Sequence, residues 1–527
     1  MDNDAVADIL SEIGVLLEVM GENPFKVRAY MNGARTIENL DEPLADLIAE
    51  DRLQGIRGIG KALQEKVAAL VTTGKLEYYD QLKASVPPGL IEMLNIPGLG
   101  PKKVKAVYEK LKIETVDALA QACRDGSLEK LSGFGKKTAD KIVEGIEFRK
   151  QFGNKHRLNT TFHLAQEILD ALRSHPNVAR CDIAGSLRRW KETIGDLDFL
   201  VSSREPGPVL DWFASQPGIM NVIVKGETKT SVNLDGGIQA DLRVVTDNEY
   251  PFALAYFTGS KEHNIVMRQR AIERGLRLNE YGLFRSKEET RDPALRVDCK
   301  TEADLYRALD LEYIPPELRE DKGEFKASAE GKLPKLLEWT DLKGSLHNHS
   351  TWSDGKQTLE EVAEAACECG CAYWAITDHS RSSYIANGLD DKRLLRQLDA
   401  VEEVNRKYKT AGAEFRLLTG SEVDILSRGE LDFPDEILAQ LDVVVASIHQ
   451  GFGGSEEEMT KRLVNAAENK FVHTLGHITG RLLLQRDSYK LNQRKVIDAC
   501  AATGTWIELN ASPYRMDMDW RLWSYAT

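Results

Sequence analysis

The chain has 527 residues, 42% of them apolar and 29% charged, and carries a net charge of −14. That length predicts two to four domains and a folded globular chain rather than a disordered one. The acidic start, Met-Asp-Asn-Asp, and the lack of any apolar run near 18 residues argue against a secretory signal and a membrane span. Cysteines stand at 123, 181, 299, 367, 369, 371 and 500 with no C-x-x-C, which predicts reduced thiols in a cytoplasmic protein. The Cys367, Cys369, Cys371 spacing at a helix end suits packing better than metal binding.

Residues 1–85 read as short helices, opening with Val6, Ile9, Leu10, Ile13, Leu16 and Leu17 at helical spacing. Three glycine-hinged units follow: G-I-R-G-I-G-K-A-L (55–63), I-P-G-L-G-P-K-K-V (96–104) and L-S-G-F-G-K-K-T-A (131–139). Each joins apolar–x–Gly–apolar–Gly to a lysine-bearing amphipathic helix, an internal repeat of helix-hairpin-helix type. Gly58, Gly60, Gly98, Gly100, Gly133 and Gly135 let backbone approach a partner. The free N–H groups of the next helix, with Lys102, Lys103, Lys136 and Lys137, then make phosphate sites that carry no base information. From Pro97 to Arg157 there are 11 Lys and 3 Arg against 8 acids, a local +6, so the acidic total does not exclude nucleic acid.

Residues 158–245 alternate helix and strand. Inside G-S-L-R-R-W-K-E-T-I-G-D-L-D-F-L-V (185–201), Asp196 and Asp198 fall on one face of a predicted strand. Their carboxylates would stand roughly 6–7 Å apart along the chain. Bare, they would repel by about 2–3 kcal/mol at an effective dielectric near 20. A third acid, Asp241, lies in a second strand, Q-A-D-L-R-V-V (239–245). Three acids on adjacent strands make sense around divalent cations that bridge a nucleotide's phosphates. Gly185 and Ser186 form the turn before them, and Arg188 and Arg189 are placed to hold triphosphate oxygens. A solvent-facing strand with ordinary surface acids is the bland alternative.

Gly-Ser followed by Asp-x-Asp is by itself a general nucleotidyltransferase signature. Residues 1–318 as a whole resemble the family X DNA polymerases, small gap-filling repair enzymes. The resemblance rests on G-E-N-P-F-K-V-R-A-Y (21–30), the hairpin glycines, the Gly-Ser and Asp-x-Asp motif, and Y-F-T-G-S (256–260). It implies that Asp196, Asp198 and Asp241 bind Mg²⁺ or Mn²⁺, with Asp241 assisting the primer 3′-OH. Ser186 and Arg189 would bind the triphosphate of a dNTP. Tyr256, Phe257 and Gly259 would line its sugar, with Asn264 and Arg268 near the base and template. In some relatives the N-terminal module is a deoxyribose-phosphate lyase acting through a lysine Schiff base, and Lys66 falls where that lysine would be. A solubilising or phosphate-contacting Lys66 is the competing reading.

A charged stretch around 317–332 reads as part of a linker (319–340). From 341 the pattern turns to strand–helix alternation, with strands at 344–348, 373–377, 415–419, 443–448, 472–476 and 505–510 and helices such as 391–408 and 456–469. Parallel strands in a barrel-like α/β domain are expected. His347, His349, His379, Glu422, His449 and His477 close these strands, and Asp354 follows in a loop. Strand ends of parallel α/β barrels gather on one face, so these side chains predict a multinuclear Zn²⁺, Mn²⁺ or Fe²⁺ site. His473 reads as structural.

This half resembles the polymerase-and-histidinol-phosphatase (PHP) domain, a metal-dependent phosphoesterase. The family carries a last Asp-x-His motif after the segment resembling I-E-L-N-A-S-P-Y-R (507–515), and none follows here. By resemblance, two metal positions would lack a ligand, the barrel would be incomplete, and 3′→5′ exonuclease activity would be weakened. The domains expected are therefore a lyase-like helical module (1–85), a helix-hairpin-helix module (86–157), an α+β palm and nucleotide-binding thumb (158–318), a linker (319–340) and an incomplete PHP domain (341–527). The leading reading is a monomeric, nucleoid-associated DNA-directed DNA polymerase that fills short gaps in base excision repair, acting on gapped or nicked duplex. The alternatives are a PHP nuclease with a DNA-binding front half, which the Asp triad opposes, and a non-catalytic DNA-end scaffold, which the hairpins alone would support.

Overall fold

A computed structural model of the protein describes residues 1–527 apart from Asp2, Asn39, Asp41, Asp51, Arg57, Asn95, Pro97, Gly98 and Asn154, and without the side chains of Asp4 and residues 148–152. The chain divides into two compact units, Met1–Gly153 and Asn154–Thr527.

The first unit is helical. Its opening helix, Asn3–Val19, buries Val6, Leu10, Ile13 and Leu17 against Val27, Tyr30, Ala34 and Ile37 of the helix Pro24–Glu38. A second core gathers Val104, Val107, Leu119, Ile142 and Ile146. The three glycine-hinged units lead into the helices Lys61–Thr73, Pro101–Leu111 and Lys136–Phe152, with Gly60 and Gly100 as N-cap residues of the first two. Gly98 lies outside the described residues.

The second unit begins with a short strand pair, β1 (His156–Arg157) on β3 (Thr193–Ile194). The palm sheet runs in the order β2 (Arg180–Ile183), β4 (Asp196–Ser202), β7 (Gln239–Val245), β6 (Lys229–Leu234), β5 (Ile219–Lys225). Only β4 and β7 pair parallel within it. Leu197, Phe199 and Val201 of β4 bury on Ala165, Leu169 and Leu172 of the helix Leu158–Arg173 and on Val209 and Phe213 of Pro206–Ala214. The intervening residues of β4 are turned to the other face, and Asp196 and Asp198 are among them. The helices Tyr250–Thr258, Lys261–Glu273 and Glu302–Ala308, with the hairpin β8 (Arg277–Asn279) and β9 (Gly282–Phe284), build the thumb around Phe252, Met267, Leu305 and Tyr306.

The stretch expected to begin a linker is instead packed into the thumb. Arg319 is fully buried and Glu324 nearly so, because each charge has a partner: Glu302 at 2.7 Å and His263 at 2.9 Å. Charge density in sequence had suggested solvent, and pairing makes burial tolerable.

The last part is a six-stranded parallel sheet in chain order: β10 (Gly344–Ser345), β11 (Tyr373–Ile376), β12 (Arg416–Asp424), β13 (Val443–Ser447), β14 (Thr474–Leu475) and β15 (Trp506–Ile507). All six fall where strands were predicted, with β12 running on to Asp424. Helices Asp391–Thr410 and Glu456–Ala467 occupy two of the crossovers. Among the described residues β10 and β15 pair on one side only, so the sheet curls as an open half-barrel.

Candidate active sites

In the palm, the parallel register sets Asp198 directly opposite Asp241, with Asp196 opposite Gln239. The preceding turn is pressed onto this pair. Ala184 N–H donates to the Asp198 carbonyl at 2.8 Å. Gly185 has φ +62°, and a Cβ there would lie 2.0 Å from Asp198 Oδ2, so position 185 admits only glycine. Burial, then the charges of Asp196 and Asp241, pushes the Asp198 carboxyl up to about 7. Burial also acts on Asp241, but hydrogen bonds from Lys229, Gln239 and Ser231 outweigh it and hold that carboxyl below the usual range. Lys229 Nζ stands 2.5 Å from Asp241 Oδ2. An ammonium now occupies one side of a cage that the acids alone would leave strongly negative.

The two arginines separate in role. Arg188 donates to both Glu302 oxygens, at 3.0 and 2.6 Å, and to Thr258 Oγ1 at 2.6 Å, so its guanidinium ties the Gly-Ser turn to the thumb. Arg189 lies by Glu320 at 2.8 Å, which it shares with Lys191 at 3.2 Å. Ser186 sits in the short helix Gly185–Arg188. Tyr256 and Phe257 meet edge to face at 5.1 Å, and Arg243 lies 4.3 Å from the Phe257 ring. Asn264 Nδ2 donates to the Tyr256 carbonyl at 2.7 Å, and Arg268 Nε to the Asn264 carbonyl at 3.2 Å. Gly259 has φ +71°, and a Cβ there would lie 3.1 Å from Arg189 Nη1. Tyr256, Phe257, Asn264 and Arg268 are thus linked to one another, and through Arg243 to the strand that carries Asp241.

In the first unit, Lys66 Nζ donates to the Ala62 carbonyl at 3.2 Å and lies 5.1 Å from the centre of the Tyr78 ring. Lys26 approaches the same ring at 5.6 Å, and Tyr30 stacks on it at 6.2 Å. Gly58 and Gly133 have φ of +101° and +90°, so the hairpin backbone itself requires glycine there. Gly60, Gly100 and Gly135 are different: a Cβ on any of them meets nothing within 4 Å. Packing inside the protein does not demand glycine at these three positions, and close approach by a partner's backbone would.

The curled sheet brings His347, His349, Asp354, His379, Glu422, His449 and His477 together. Glu422 is the centre. Its Oε2 lies 3.2 Å from His347 Nε2, 3.5 Å from His349 Nε2 and 3.1 Å from His379 Nδ1. Its Oε1 lies 3.1 Å from His449 Nε2 and 2.8 Å from His477 Nε2. Asp354 approaches His349 at 3.5 Å and His379 at 3.7 Å. Three overlapping triads have ligand atoms within 4.8 Å of one another: His347–His349–Glu422, His349–Asp354–His379 and His379–Glu422–His449. Two ligands of one cation, each about 2.0–2.2 Å from it, stand roughly 3 Å apart, so this spacing fits metal ligation. The contacts that buried Glu422 Oε1 and His379 Nδ1 make at 2.8–3.1 Å lack hydrogen-bond geometry, as is expected of atoms that converge on a shared cation rather than on each other. Burial opposes charge on His347 and His449, but Glu422 outweighs it with help from Glu508 and Asp424, raising them to about 10 and about 9. Metal entry here must expel protons.

Several site residues escaped the sequence reading. Glu508 Oε1 meets His347 Nδ1 at 2.5 Å, and its Oε2 accepts from His477 N–H at 2.6 Å. Asp424 holds His449 Nδ1. Asp378 accepts from Ser350, Ser353 and Gln397. Two signals pointed to them: Asp424 is two residues past Glu422 on one strand face, and Glu508 directly follows a strand, as the histidines do. Such outer carboxylates orient ligating imidazoles. His473 Nδ1 accepts from Val444 N–H at 3.1 Å, the structural role expected of it. The cysteines at 367, 369 and 371 are free and belong to none of the triads.

A palm with three facing aspartates, fused to a half-barrel with a histidine-rich metal cage, defines a nucleotidyl transferase joined to a metal-dependent phosphoesterase. Family comparisons agree piece by piece. Residues 1–76 match a helix-hairpin-helix domain, 90–147 a SAM-like helix-hairpin-helix tandem, 253–320 the DNA polymerase beta thumb and 345–512 the PHP domain. The DNA polymerase/3′-5′ exonuclease PolX of Bacillus subtilis is 37% identical over 98% of this chain and 89% of its own length. The chain therefore belongs to the family X DNA polymerases that carry a C-terminal PHP domain. DNA polymerase lambda of Rattus norvegicus is 24% identical over 60% of this chain and 56% of its own. A probable phosphatase of Caldanaerobacter subterraneus is 36% identical over 20% of this chain and 40% of its own. No helix among the described residues is long and apolar enough to cross a membrane.

Proposed function

We propose that this polymerase fills short gaps at gapped or nicked DNA, and that its PHP half removes nucleotides from 3′ ends. The observation that carries the first part is the register of Asp198 on Asp241 with Asp196 on the same face, under a turn that admits only glycine. Mg²⁺ or Mn²⁺ bound there would supply Lewis-acid stabilisation of the attacking and leaving oxygens. Asp241, with Lys229 displaced, faces the primer 3′-OH and takes part in removing its proton. Ser186 and Arg189 hold the triphosphate once Arg189 exchanges Glu320 for phosphate oxygens, while Arg188 stays with Glu302 and fixes the thumb. Tyr256, Phe257 and Gly259 bound the sugar, and Asn264 and Arg268 lie towards the base. The hairpin glycines and their lysines grip phosphates on either side of a gap.

In the PHP half, Zn²⁺, Mn²⁺ or Fe²⁺ would polarise the scissile phosphodiester. His347, His349, Asp354, His379, Glu422, His449 and His477 are the holding residues, and Glu508 and Asp424 orient the rings. Lys66 is the candidate Schiff-base amine of a lyase step; borohydride trapping of a labelled abasic-site end, lost in Lys66→Ala, tests it.

The main test is one gel. A labelled primer on gapped duplex is incubated with Mg²⁺ or Mn²⁺, with and without dNTPs, using wild type and Asp241→Asn. Growth that vanishes in the variant is the expected result. Shortening without dNTPs that survives Asp241→Asn but is lost in Glu422→Gln assigns exonuclease to the PHP half. Growth without shortening sinks the exonuclease part.

A further inference from the structure

Beside the metal cage, between His379 and Leu389, the chain forms a loop whose crown exposes two large apolar side chains. Tyr384 is 75% exposed and Ile385 89%. Such exposure usually accompanies mobility, yet this loop is fastened on every side. Ser382 N–H donates to Asp432 at 2.7 Å, and Gln450 donates to the Ser382 carbonyl at 2.8 Å. At its foot, Leu389 N–H donates to the His379 carbonyl at 2.7 Å. A Cβ at Gly388 would lie 1.9 Å from the Ser380 carbonyl oxygen, so the loop closes tightly on itself. Asn387 donates to the Trp352 carbonyl at 3.2 Å and receives Arg393 on its own carbonyl at 2.9 Å. Ser383, the residue before the crown, donates to both oxygens of Asp424 at 3.1 Å and lies 3.4 Å from His449 Nδ1. The loop is thus rigid, built into the support of a ligating imidazole, and presents an aromatic and a branched aliphatic side chain to solvent.

We propose that Tyr384 and Ile385 form a platform for the base of the 3′-terminal nucleotide, placing its phosphodiester on the metal cage. A terminal nucleotide with its phosphodiester at the metals carries its base one sugar away, within reach of a crown that starts one residue from Ser383. An aromatic face accepts any base, because every base has a π-face. The pair therefore favours a free, unstacked 3′ end over a paired one without reading sequence. This inference rests on the exonuclease reading of the PHP half.

The test uses the full chain with Tyr384→Ala, Ile385→Ser and the double variant. On a single-stranded oligonucleotide, KM is expected to rise at least tenfold in the double variant, and duplex ends to lose less. Removal of a 3′-terminal abasic (tetrahydrofuran) residue from the same oligonucleotide, which has no base to stack, should stay within a factor of about two. A parallel fall in both substrates would mean that the loop only supports the metal cage, and would overturn the proposal. An oligonucleotide ending in 2-aminopurine gives a readout that needs no cleavage: wild type should quench it and Tyr384→Ala should not. Quenching and KM both unchanged in the variants would overturn the platform, as would a variant that alters only the oligomeric state on sizing. If wild type quenches the probe but cleaves nothing, the exonuclease reading fails while the platform stands.

Discussion

Asp198 shows what burial beside two other acids on one sheet face costs a carboxylate. Its ordinary value is 3.8 and the folded protein raises it to about 7. The folded state then binds more protons than the unfolded one between those values, so stability falls as pH rises from about 4 to about 7 and stays low above. Asp198→Asn should raise the stability of the cation-free protein at pH 8 by a few kcal/mol, on the order of the shift itself, and leave it unchanged near pH 4. Thermal melts at both pH values check this, and Mg²⁺ should stabilise wild type at pH 8 but not the variant. The same variant loses primer extension. In the PHP half, Glu508 touches His347 and the His477 backbone without meeting Glu422. Glu508→Gln keeps its size but not its charge, and metal affinity should drop about 10–100-fold, measured by competition with a chromogenic chelator. An unchanged affinity would remove Glu508 from the site.

At the scale of elements, the hairpins and the thumb make opposite demands. Gly100 caps the helix Pro101–Leu111 with open space before it. Aspartate there is a good N-cap and suits the helix dipole, yet it sets a negative charge where phosphate would approach. Gly100→Asp should therefore leave the melting temperature equal or higher and weaken duplex binding several-fold, by fluorescence anisotropy. A matched loss of both would mean that the glycine serves folding. The thumb depends instead on buried pairing: Glu302 receives Arg188 and the fully buried Arg319. Glu302→Ala leaves Arg319 without its carboxylate and should cost about 3–5 kcal/mol, read from the urea midpoint. The repeat of glycine-hinged units was legible in the sequence because hairpins are local. The Arg188–Glu302 pair was not, since its members lie 114 residues apart.

Across the second unit, palm and PHP half are joined by charge and packing. Arg481 reaches both oxygens of Glu192, at 3.3 and 2.5 Å, with both side chains mostly buried. Glu192 lies on the stretch between Arg189 and Asp196, and Arg481 follows His477 by four residues, so one ion pair spans the two catalytic halves. Lys191 stands 3.8 Å from the Trp520 ring and Arg157 3.9 Å from that of Tyr514. Met516 packs on the palm core. Arg481→Glu would set two carboxylates face to face, and should split thermal unfolding into two transitions and slow primer extension. Adding Glu192→Arg should restore a single transition. Failure of that rescue would mean that the pair does not couple the halves.

Sequence alone determined the local chemistry. Period-two spacing put Asp196 and Asp198 on one face, strand-end positions marked the histidines, and apolar periodicity drew the helices and strands, because each depends on residues a few positions apart. Tertiary structure decided whatever depends on distant residues meeting: the register that opposes Asp198 to Asp241, the five imidazoles around Glu422, the burial of Arg319 in a stretch that reads as linker, and the engagement of Arg188 by Glu302. Charge in a sequence does not say whether it will be solvated or paired. That is settled when the chain closes and a counter-charge arrives from elsewhere, since only then is burial of an ion tolerable.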